Sequence, residues 1–340
     1  MSEFRIDQIK NQDATEGPNV AGITTFTGTS GIVMPSGDTA YRGGRGRGMF
    51  GGGTPTPGSR TNLVDYITIA STGNALDFGD LLNAIESGGT VASSTRGIFA
   101  GGNDSPTFYN VISYITIQST GNFFDFGDLS KVLSNPAGVS NNTRGILAGG
   151  EEPSNLVNTN IQYLTIASKG NTALFGELTT DENRTKGSFG SPTRGVFCGG
   201  QDSPGAKTNA CEYLTISTLG NTQDFGDLST TRAFIEGCSN STRGLVGGGE
   251  NPGYTDVIEY VTIASTGDFI DFGNLQTAKS VPGACASATR GIWAGGASPA
   301  RLTETDYVEI STLGNGQDFG DLTVGRYYCK GLSDVHGGLG

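Results

Sequence analysis

The chain has 340 residues, 56 of them glycine, and a formal net charge of −12 with only 21 lysines and arginines. This charge makes the protein a poor match for nucleic-acid phosphates. No segment approaches the length of a membrane-spanning helix, and the first residues lack the charged and apolar regions of a signal peptide. We therefore expect a glycine-rich protein of short strands that neither binds nucleic acid nor inserts into a membrane.

Residues 1–40 precede the repeated part of the chain and are polar, with isolated apolar residues between glycines and prolines. This pattern predicts an extended arm rather than a domain. The arm is either a loose leader or a segment that packs on a partner, and the sequence alone does not separate the two. We expect a division into an attachment or oligomerisation arm (1–40) and a repeat domain (41–340).

A tyrosine-to-phenylalanine unit occurs six times in the repeat domain. The tyrosines are Tyr66, Tyr114, Tyr163, Tyr213, Tyr260 and Tyr307, and the phenylalanines are Phe78, Phe126, Phe175, Phe225, Phe272 and Phe319. The interval inside each unit is always 12 residues, whereas the distance between copies varies from 47 to 50. The constant interval, its β-branched and aromatic flanks and its centre, which reads Ser-Thr-Gly-Asn or a near variant, predict a β-hairpin whose turn sets the register.

Each repeat also contains an Arg-Gly pair that opens a strand ending in Gly-Gly, and a fourth segment that leads to the next repeat. Four short strands in about 48 residues are typical of a propeller blade. The first repeat begins directly at Arg47, and the chain ends with a spare fourth segment, Arg326 to Ser333. We expect this segment to complete the first blade, so that six blades close without an open sheet edge.

A strand ending in Gly-Gly, then a tyrosine, then a large aromatic residue resembles the kelch motif, with phenylalanine replacing the usual tryptophan. The phrase TRGIFAGG…YITIxSTGNxxDFGDL and the leader GPNVAGITTFTGTSGIVMPSG are similar to those of propeller proteins predicted in tailed phages of marine cyanobacteria. The resemblance covers almost the whole chain. It implies an all-β, six-bladed kelch-like propeller in a virion structural protein of the tail, fibre or capsid surface, with no catalytic residues.

The repeated arginines have two interpretations. They are Arg96, Arg144, Arg194, Arg243 and Arg290, with Arg47 opening the first copy. Equivalent positions in a propeller surround one axis, so these side chains could form a ring of ligands. Alternatively, each guanidinium ties backbone carbonyls or Asp-Phe-Gly-Asp carboxylates of an adjoining strand, because its fork supplies five donors. We favour the structural interpretation.

Acidic pairs and cysteines raise the question of metal binding. The acidic series is Asp77/Asp80, Asp125/Asp128, Asp224/Asp227, Asp271 and Asp318/Asp321. Leu174 and Asn274 replace members of the series, and a role in capping turns tolerates such loss better than calcium binding or acid catalysis. Cys238 and Cys285 share a position with Val139, which predicts a small, buried apolar side chain rather than a ligand.

The residues required for catalysis are scarce. His336 is the single histidine and lies near the C-terminal end of the sequence. A copper oxidase of kelch type needs two imidazoles, and a serine hydrolase needs one that is held by a carboxylate, so we expect neither activity. Gly46 to Gly51 matches the dinucleotide fingerprint, but Thr54 and Pro55 follow where a helix would have to begin. We expect no enzyme activity, no cofactor and no bound metal.

The loops after the Gly-Gly pairs differ most between repeats, and in a propeller they would share one rim. Variable loops on a rigid scaffold commonly bind partners. The candidate rim residues are Phe108, Tyr109, Glu151, Glu152, Asp202, Tyr254 and Arg301. Two functions follow: a virion structural protein that docks on other virion proteins, or on copies of itself, through residues 1–40, and an adhesin whose rim contacts a host surface glycan or protein.

Overall fold

The computed structural model describes residues 46–180, 185–202 and 205–339, and shows six four-stranded antiparallel sheets arranged as the blades of a β-propeller. The prediction of an all-β, six-bladed propeller is therefore confirmed. The predicted arm of residues 1–40 lies outside the described residues. No helix in the described ranges is long and apolar enough to cross a membrane.

The strands are given from blade 1 to blade 6. The inner strands are Lys330–Ser333, Gly89–Ala92, Ala137–Ser140, Gly187–Gly190, Glu236–Ser239 and Gly283–Ala286. The second strands are Arg47–Gly51, Arg96–Ala100, Arg144–Ala148, Arg194–Cys198, Arg243–Gly247 and Arg290–Ala294. The third strands are Leu63–Thr68, Val111–Thr116, Asn160–Thr165, Ala210–Thr215, Val257–Thr262 and Glu304–Glu309. The outer strands are Leu76–Asp80, Phe124–Asp128, Ala173–Glu177, Gln223–Asp227, Ile270–Asn274 and Gln317–Asp321.

Antiparallel pairing gives the propeller two different faces. The tight turns between inner and second strands and between third and outer strands lie on one face, here called the turn face. The loops between second and third strands, and the connections from outer strands to the next inner strands, lie on the opposite loop face. Short elements decorate both faces: the hairpins Asn103–Asp104/Thr107–Phe108, Glu151–Glu152/Leu156–Val157 and Ala297–Ser298/Ala300–Arg301, and the 3-10 turns Pro153–Asn155 and Gly337–Leu339.

The ring is closed by the C-terminal strand, as predicted. Lys330–Ser333 pairs antiparallel with the second strand of blade 1, with Gly48 opposite Ser333. Just beyond it, Asp334 Oδ1 accepts a hydrogen bond of 2.8 Å from the backbone N–H of Arg47. In the other blades the equivalent hydrogen bond lies within the turn between the inner and second strands. In blade 1 the two residues come from opposite ends of the repeat domain.

The hydrophobic core consists of six clusters, each shared by two successive blades. The cluster between blades 5 and 6 contains Phe272 and Trp293, both almost fully buried. The glycine of each Arg-Gly pair provides space for an inner-strand side chain of the preceding blade. A Cβ built on Gly291 would lie 2.7 Å from Cys238 Sγ, and one on Gly48 would lie 2.7 Å from Cys285 Sγ. Cys238 and Cys285 are thus buried packing residues, as predicted.

The tyrosine-to-phenylalanine interval has a second cause besides hairpin register. The phenylalanine is the extra residue of a β-bulge: in blade 1, Val64 pairs with Gly79 and Asp65 pairs with Asp77, which leaves Phe78 between them. Its ring meets that of Tyr66 edge-to-face, with centroids 5.8 Å apart. The interval therefore fixes the position of the bulge and its aromatic pair.

The turn of each hairpin, Gly-Asn in five blades and Gly-Asp in blade 5, is hydrogen-bonded to the outer strand of the preceding blade. Gly121 N–H donates to the Phe78 carbonyl over 2.8 Å, and Asn122 Oδ1 accepts from the backbone N–H of Asp80 over 3.1 Å. A side chain on Gly79 would overlap the backbone of Gly121, so the glycine after the bulge permits this approach. The equivalent glycine-to-carbonyl bond recurs around the ring and ends with Gly73 donating to Phe319 across the closure.

Removing the Phe272 side chain, which packs between blades 5 and 6, should destabilise the protein. We expect Phe272→Ala, at a side chain 3% exposed, to lower the free energy of unfolding by about 3–5 kcal/mol through lost burial and cavity formation. Phe124→Ala is the matched control, because Phe124 lies on an outer strand and is 60% exposed, and should change it by about 0.5 kcal/mol or less. Urea unfolding measures both, and equal losses would contradict the core assignment.

Removing the closing strand should open the ring. Deletion of residues 325–340 leaves the backbone groups of Arg47–Gly51 unpaired along one edge, and we expect loss of cooperative unfolding together with aggregation. A shorter deletion of residues 337–340 retains the strand and should stay monomeric. Circular dichroism melts and size-exclusion chromatography distinguish the outcomes, and a stable, monomeric 325–340 deletion would show that closure does not depend on this strand.

Candidate binding site on the loop face

The six repeated arginines form ties between blades, which confirms the structural interpretation. In each, one terminal nitrogen donates over 2.7–3.1 Å to an isoleucine carbonyl of the next blade. The pairs are Arg47–Ile117, Arg96–Ile166, Arg144–Ile216, Arg194–Ile263, Arg243–Ile310 and Arg290–Ile69. Each guanidinium carbon also lies 4.2–4.7 Å from the centroid of its own blade's tyrosine. These side chains are therefore occupied by packing.

Buried ion pairs between the connections that enter the blades and the third strands of the same blades were not foreseen from the sequence. The pairs are Arg326–Asp65, Lys186–Glu212, Arg232–Glu259 and Lys279–Asp306. Each acid directly precedes the repeat tyrosine, and blades 2 and 3 carry Ser113 and Gln162 there instead. A charged residue in the middle of an otherwise apolar strand was the sequence feature that could have predicted these pairs. Because each carboxylate is paired and hydrogen-bonded, the cost of burying its charge is offset, and removing either partner would leave an uncompensated buried charge.

The environment of Glu212 shows how such a charge is kept in the interior. Burial raises the pKa of this carboxyl, but Lys186 and the hydroxyls of Thr180 and Thr222 outweigh it, so the pKa lies below its usual range. The opposite holds for Asp306, where burial is the larger effect and raises the pKa in spite of Lys279. Both side chains are enclosed, which distinguishes them from residues available to a ligand.

The acidic series of the outer strands lies at the perimeter of the propeller, with Asp77, Asp125, Asp224, Asp271 and Asp318 exposed. The described ranges contain no group of three or more His, Cys, Asp or Glu residues arranged to hold a metal ion. The five cysteines are buried as free thiols. The acidic series is thus spread around the perimeter rather than gathered into a site.

Three of the predicted rim residues lie in the short hairpins or against the core. Phe108 belongs to the Thr107–Phe108 strand and is half-buried. Tyr109 packs against the cluster between blades 1 and 2. Glu151 is buried, and its backbone exchanges two hydrogen bonds with that of Ser134. The structure does not bring these three side chains together on an open surface.

Two further rim residues are held by local partners. Glu152 accepts a bond of 2.6 Å from Lys131 Nζ. Asp202 Oδ1 accepts from the backbone N–H groups of Gly205 and Ala206 over 2.8 and 2.6 Å, and so shapes its own loop. Glu152 is thus paired with the connection between blades 2 and 3, and Asp202 orders its own loop.

Tyr254 and Arg301, in contrast, line one pocket of about 320 Å³ on the loop face. The other main side chains of this pocket are Phe234, Glu250, Tyr327 and Tyr328. Tyr327 and Tyr328 have ring centroids 4.9 Å apart, and Phe234 meets Tyr328 edge-to-face at 6.2 Å. Sequence analysis missed Phe234, Tyr327 and Tyr328, because they lie in fourth segments rather than in the variable loops.

The backbone beneath the pocket forms a ring around the propeller axis. One residue in each connection to an inner strand has a φ of 50–61°: Ser87, Asn135, Thr185, Phe234, Val281 and Tyr328. Backbone N–H groups donate to the preceding member of this ring over 2.6–3.2 Å at Ser87, Asn135, Phe234, Val281 and Tyr328. Alignment of the repeats on this position would have revealed the contrast between small polar and bulky residues.

The three bulky members of the ring are strained. A left-handed backbone costs a non-glycine residue about 1–2 kcal/mol, and it suits serine or asparagine better than the β-branched Val281. Phe234, Val281 and Tyr328 all line the pocket, whereas Ser87, Asn135 and Thr185 lie on the other side of the axis. Strain of this kind concentrates at sites with a function, and the apolar members of the ring all lie at the pocket.

The charges at the pocket are two cations and one carboxylate. Lys207 Nζ lies 3.0 Å from Glu250 Oε1 and 5.9 Å from the Phe234 ring centroid. The Arg301 guanidinium lies 4.8 Å from the Tyr327 centroid, and its Nε donates to the Thr54 carbonyl over 3.0 Å. In a chain with a net charge of −12, this is a local excess of positive charge.

The opposite end of the axis is covered by the C-terminal residues. His336 Nε2 donates to the Ala92 carbonyl over 3.0 Å, and its Nδ1 accepts from the Gly338 N–H over 3.1 Å. Both contacts are satisfied by the neutral ring with its proton on Nε2. Burial lowers the pKa of His336 to about 4, against a smaller raising effect of the Ala92 carbonyl.

Comparisons with known proteins give no relative from which a function could be carried over. No protein-family model matches the chain, and no curated protein matches it. The six four-stranded blades and their closure by the C-terminal strand fit a kelch-like propeller.

The buried histidine predicts a pH-dependent stability. Because the folded pKa of about 4 is below the unfolded value of about 6.5, the unfolded chain binds more protons in this window. The contribution of His336 to stability should therefore be fully present above pH 6.5. As the pH decreases to 4, protonation of this histidine should lower the free energy of unfolding by at most about 3 kcal/mol.

His336→Gln keeps a side-chain donor but cannot titrate, and serves as the control. Acids such as Asp306 titrate in both proteins, so the difference between their unfolding free energies at several pH values isolates the histidine. If the two proteins lose the same stability between pH 6.5 and 4, the neutral buried histidine is not the source of the dependence.

Proposed function

We propose that this chain is a non-enzymatic structural protein of a phage particle, located in the tail, a fibre or the capsid surface. Residues 1–40 dock on other virion proteins, and the propeller forms a rigid body that projects from the particle. The resemblance of the repeat phrase and leader to cyanophage propeller proteins supports the virion origin. The interlocked blades support the rigid body.

The observation that carries the docking proposal is the placement of the two faces. The first blade begins at Arg47 on the turn face, where its backbone is bonded to Asp334. The pocket with Tyr254 and Arg301 lies on the opposite, loop face. The second strand of blade 1 thus begins on the face opposite the pocket.

An adhesive function is the second candidate, and the loop-face pocket favours it specifically. In the first candidate the propeller needs only a stable surface, and strained Phe234, Val281 and Tyr328 would bring no benefit. In the second they shape a site for a host surface component. Both candidates are compatible with one particle, because docking uses the arm and adhesion uses the propeller.

Deletion of residues 1–40 tests the docking proposal in a phage that encodes the chain. We expect the truncated protein to remain a soluble, monomeric propeller, because all six blades are built from later residues. Purified wild-type particles should contain the chain, and particles from the deletion should not. Mass spectrometry of the particles and circular dichroism of the purified proteins measure the two effects.

Three outcomes would oppose the proposal. Absence of the chain from wild-type particles would exclude a virion protein. Normal incorporation of the truncated chain would show that the propeller, rather than the arm, makes the docking contact. Hydrolysis of a host capsule or lipopolysaccharide by the purified chain would overturn the non-enzymatic assignment.

A further inference from the structure

We propose that the pocket lined by Tyr254, Glu250, Arg301 and Tyr327 is a saccharide-binding site that accepts one or two sugar residues, neutral or carboxylate-bearing. The proposal deepens the adhesive function proposed above and rests on it for biological meaning. The binding chemistry itself depends only on the pocket.

The pocket has the size and stiffness of a small-molecule site. Its volume of about 320 Å³ lies at the lower end of the range for ligand pockets and suits one or two sugar rings rather than a folded domain. Its floor is the hydrogen-bonded ring that includes Val281 and Tyr328, so the site is already formed without a ligand. A preformed site loses little freedom on binding.

Tyr254 supplies the surface on which a sugar ring can stack. Its side chain is 41% exposed, an unusual degree for a large aromatic in this protein, where the repeat tyrosines pack beneath arginines. The apolar face of a sugar ring presents C–H groups, which a tyrosine ring contacts while its hydroxyl bonds at the edge. In the described part of the chain, the hydroxyls of Tyr254 and Tyr327 have no hydrogen-bond partner.

The charged side chains at the pocket provide both donors and acceptors. Glu250 accepts from Lys207 through Oε1, while its Oε2 has no hydrogen-bond partner among the described residues. Arg301 donates to the Thr54 carbonyl only through Nε, so its terminal nitrogens can donate elsewhere. Sugar hydroxyls both donate and accept, and a carboxylate on the sugar would bond the guanidinium.

The same geometry opposes a cationic ligand. Cation-binding aromatic cages need uncovered ring faces, but Lys207 and Arg301 already lie over Phe234 and Tyr327. An incoming ammonium group would approach these two cations with only Glu250 to balance them. The pocket therefore favours a neutral or anionic hydroxylated ring.

The chain contains its own comparison for this site. Ser87, Asn135 and Thr185 hold the left-handed ring positions on the other side of the axis, and all three side chains are small and polar. The six positions share one backbone conformation, and the side chain is apolar only at Phe234, Val281 and Tyr328. This restriction to one side indicates a site rather than a requirement of the fold.

The test uses the full-length chain on a glycan array of neutral and acidic oligosaccharides, followed by calorimetric titration with the strongest-binding oligosaccharide. Tyr254→Ala removes the stacking surface, and Glu250→Gln changes the acceptor without changing its shape. We expect each to weaken binding by about 10-fold or more. Tyr328→Asn introduces the residue that blade 3 carries at this ring position, so it should reduce binding without unfolding the protein.

Leu156→Ala is the matched control, because Leu156 is 60% exposed in a loop-face hairpin outside the pocket. It should leave both binding and melting temperature unchanged. Tetramethylammonium chloride and a proline-rich peptide are titrated in parallel as probes of the other ligand classes. Binding of either in the pocket in place of saccharide, or binding of saccharide that survives Tyr254→Ala and Glu250→Gln, would overturn the proposal.

A complete absence of saccharide binding by a correctly folded chain would also overturn it. This outcome is distinguishable from failure of the virion proposal, which is read from the protein content of purified particles. A chain found in particles but inert on the array would retain the structural function and lose the binding site. A chain that binds saccharide but is absent from particles would show the reverse.

Discussion

The close approach of neighbouring blades is the constraint on which the rest of this propeller depends. A Cβ on Gly48 or Gly291 would meet the thiol of a cysteine one blade earlier, and a Cβ on Gly79 would meet the turn of the next blade. Glycine at these positions lets apolar side chains and backbone groups of two sheets interlock. Hydrogen bonds then form across the junction, from Gly121 to Phe78 and from Arg47 to Ile117. Each blade is thus stabilised by its neighbours, so closure by the last strand matters for the whole ring.

This arrangement explains why so many charged residues that could have bound a ligand have structural roles instead. The arginines that could have formed a ligand ring are bonded to isoleucine carbonyls, and acids such as Asp65 and Glu259 are enclosed with their own cations. Burial of a charge without a partner is costly, so each pair has to be complete. Blades 2 and 3 avoid the problem by placing Ser113 and Gln162 at the acid position. The repeat therefore accepts either a charged pair or a neutral residue at the same position.

Against this symmetric background, the loop face is asymmetric. Left-handed residues surround the axis on all sides, yet only Phe234, Val281 and Tyr328 are bulky, and they are neighbours in space. The outer strands likewise vary, with Phe124 exposed where blade 4 has Gln223. The contacts between neighbouring blades recur around the propeller because each pair of blades has to pack closely for the ring to close. Departure from symmetry at strained positions is the feature that separates a candidate site from the scaffold.

The sequence by itself determined the number of blades, the hairpins and the closing strand, because these depend on local spacing: the 12 residues from Tyr66 to Phe78 and the unpaired segment after Arg326. It also indicated that the arginines are structural. Only the tertiary structure decided which loop-face residues meet. Tyr254 and Arg301 were expected on the rim, but Phe234 and Tyr328 join them from distant connections. Glu151 turned inward for the same reason, since the contacts of a loop are made by blades that lie far apart along the chain.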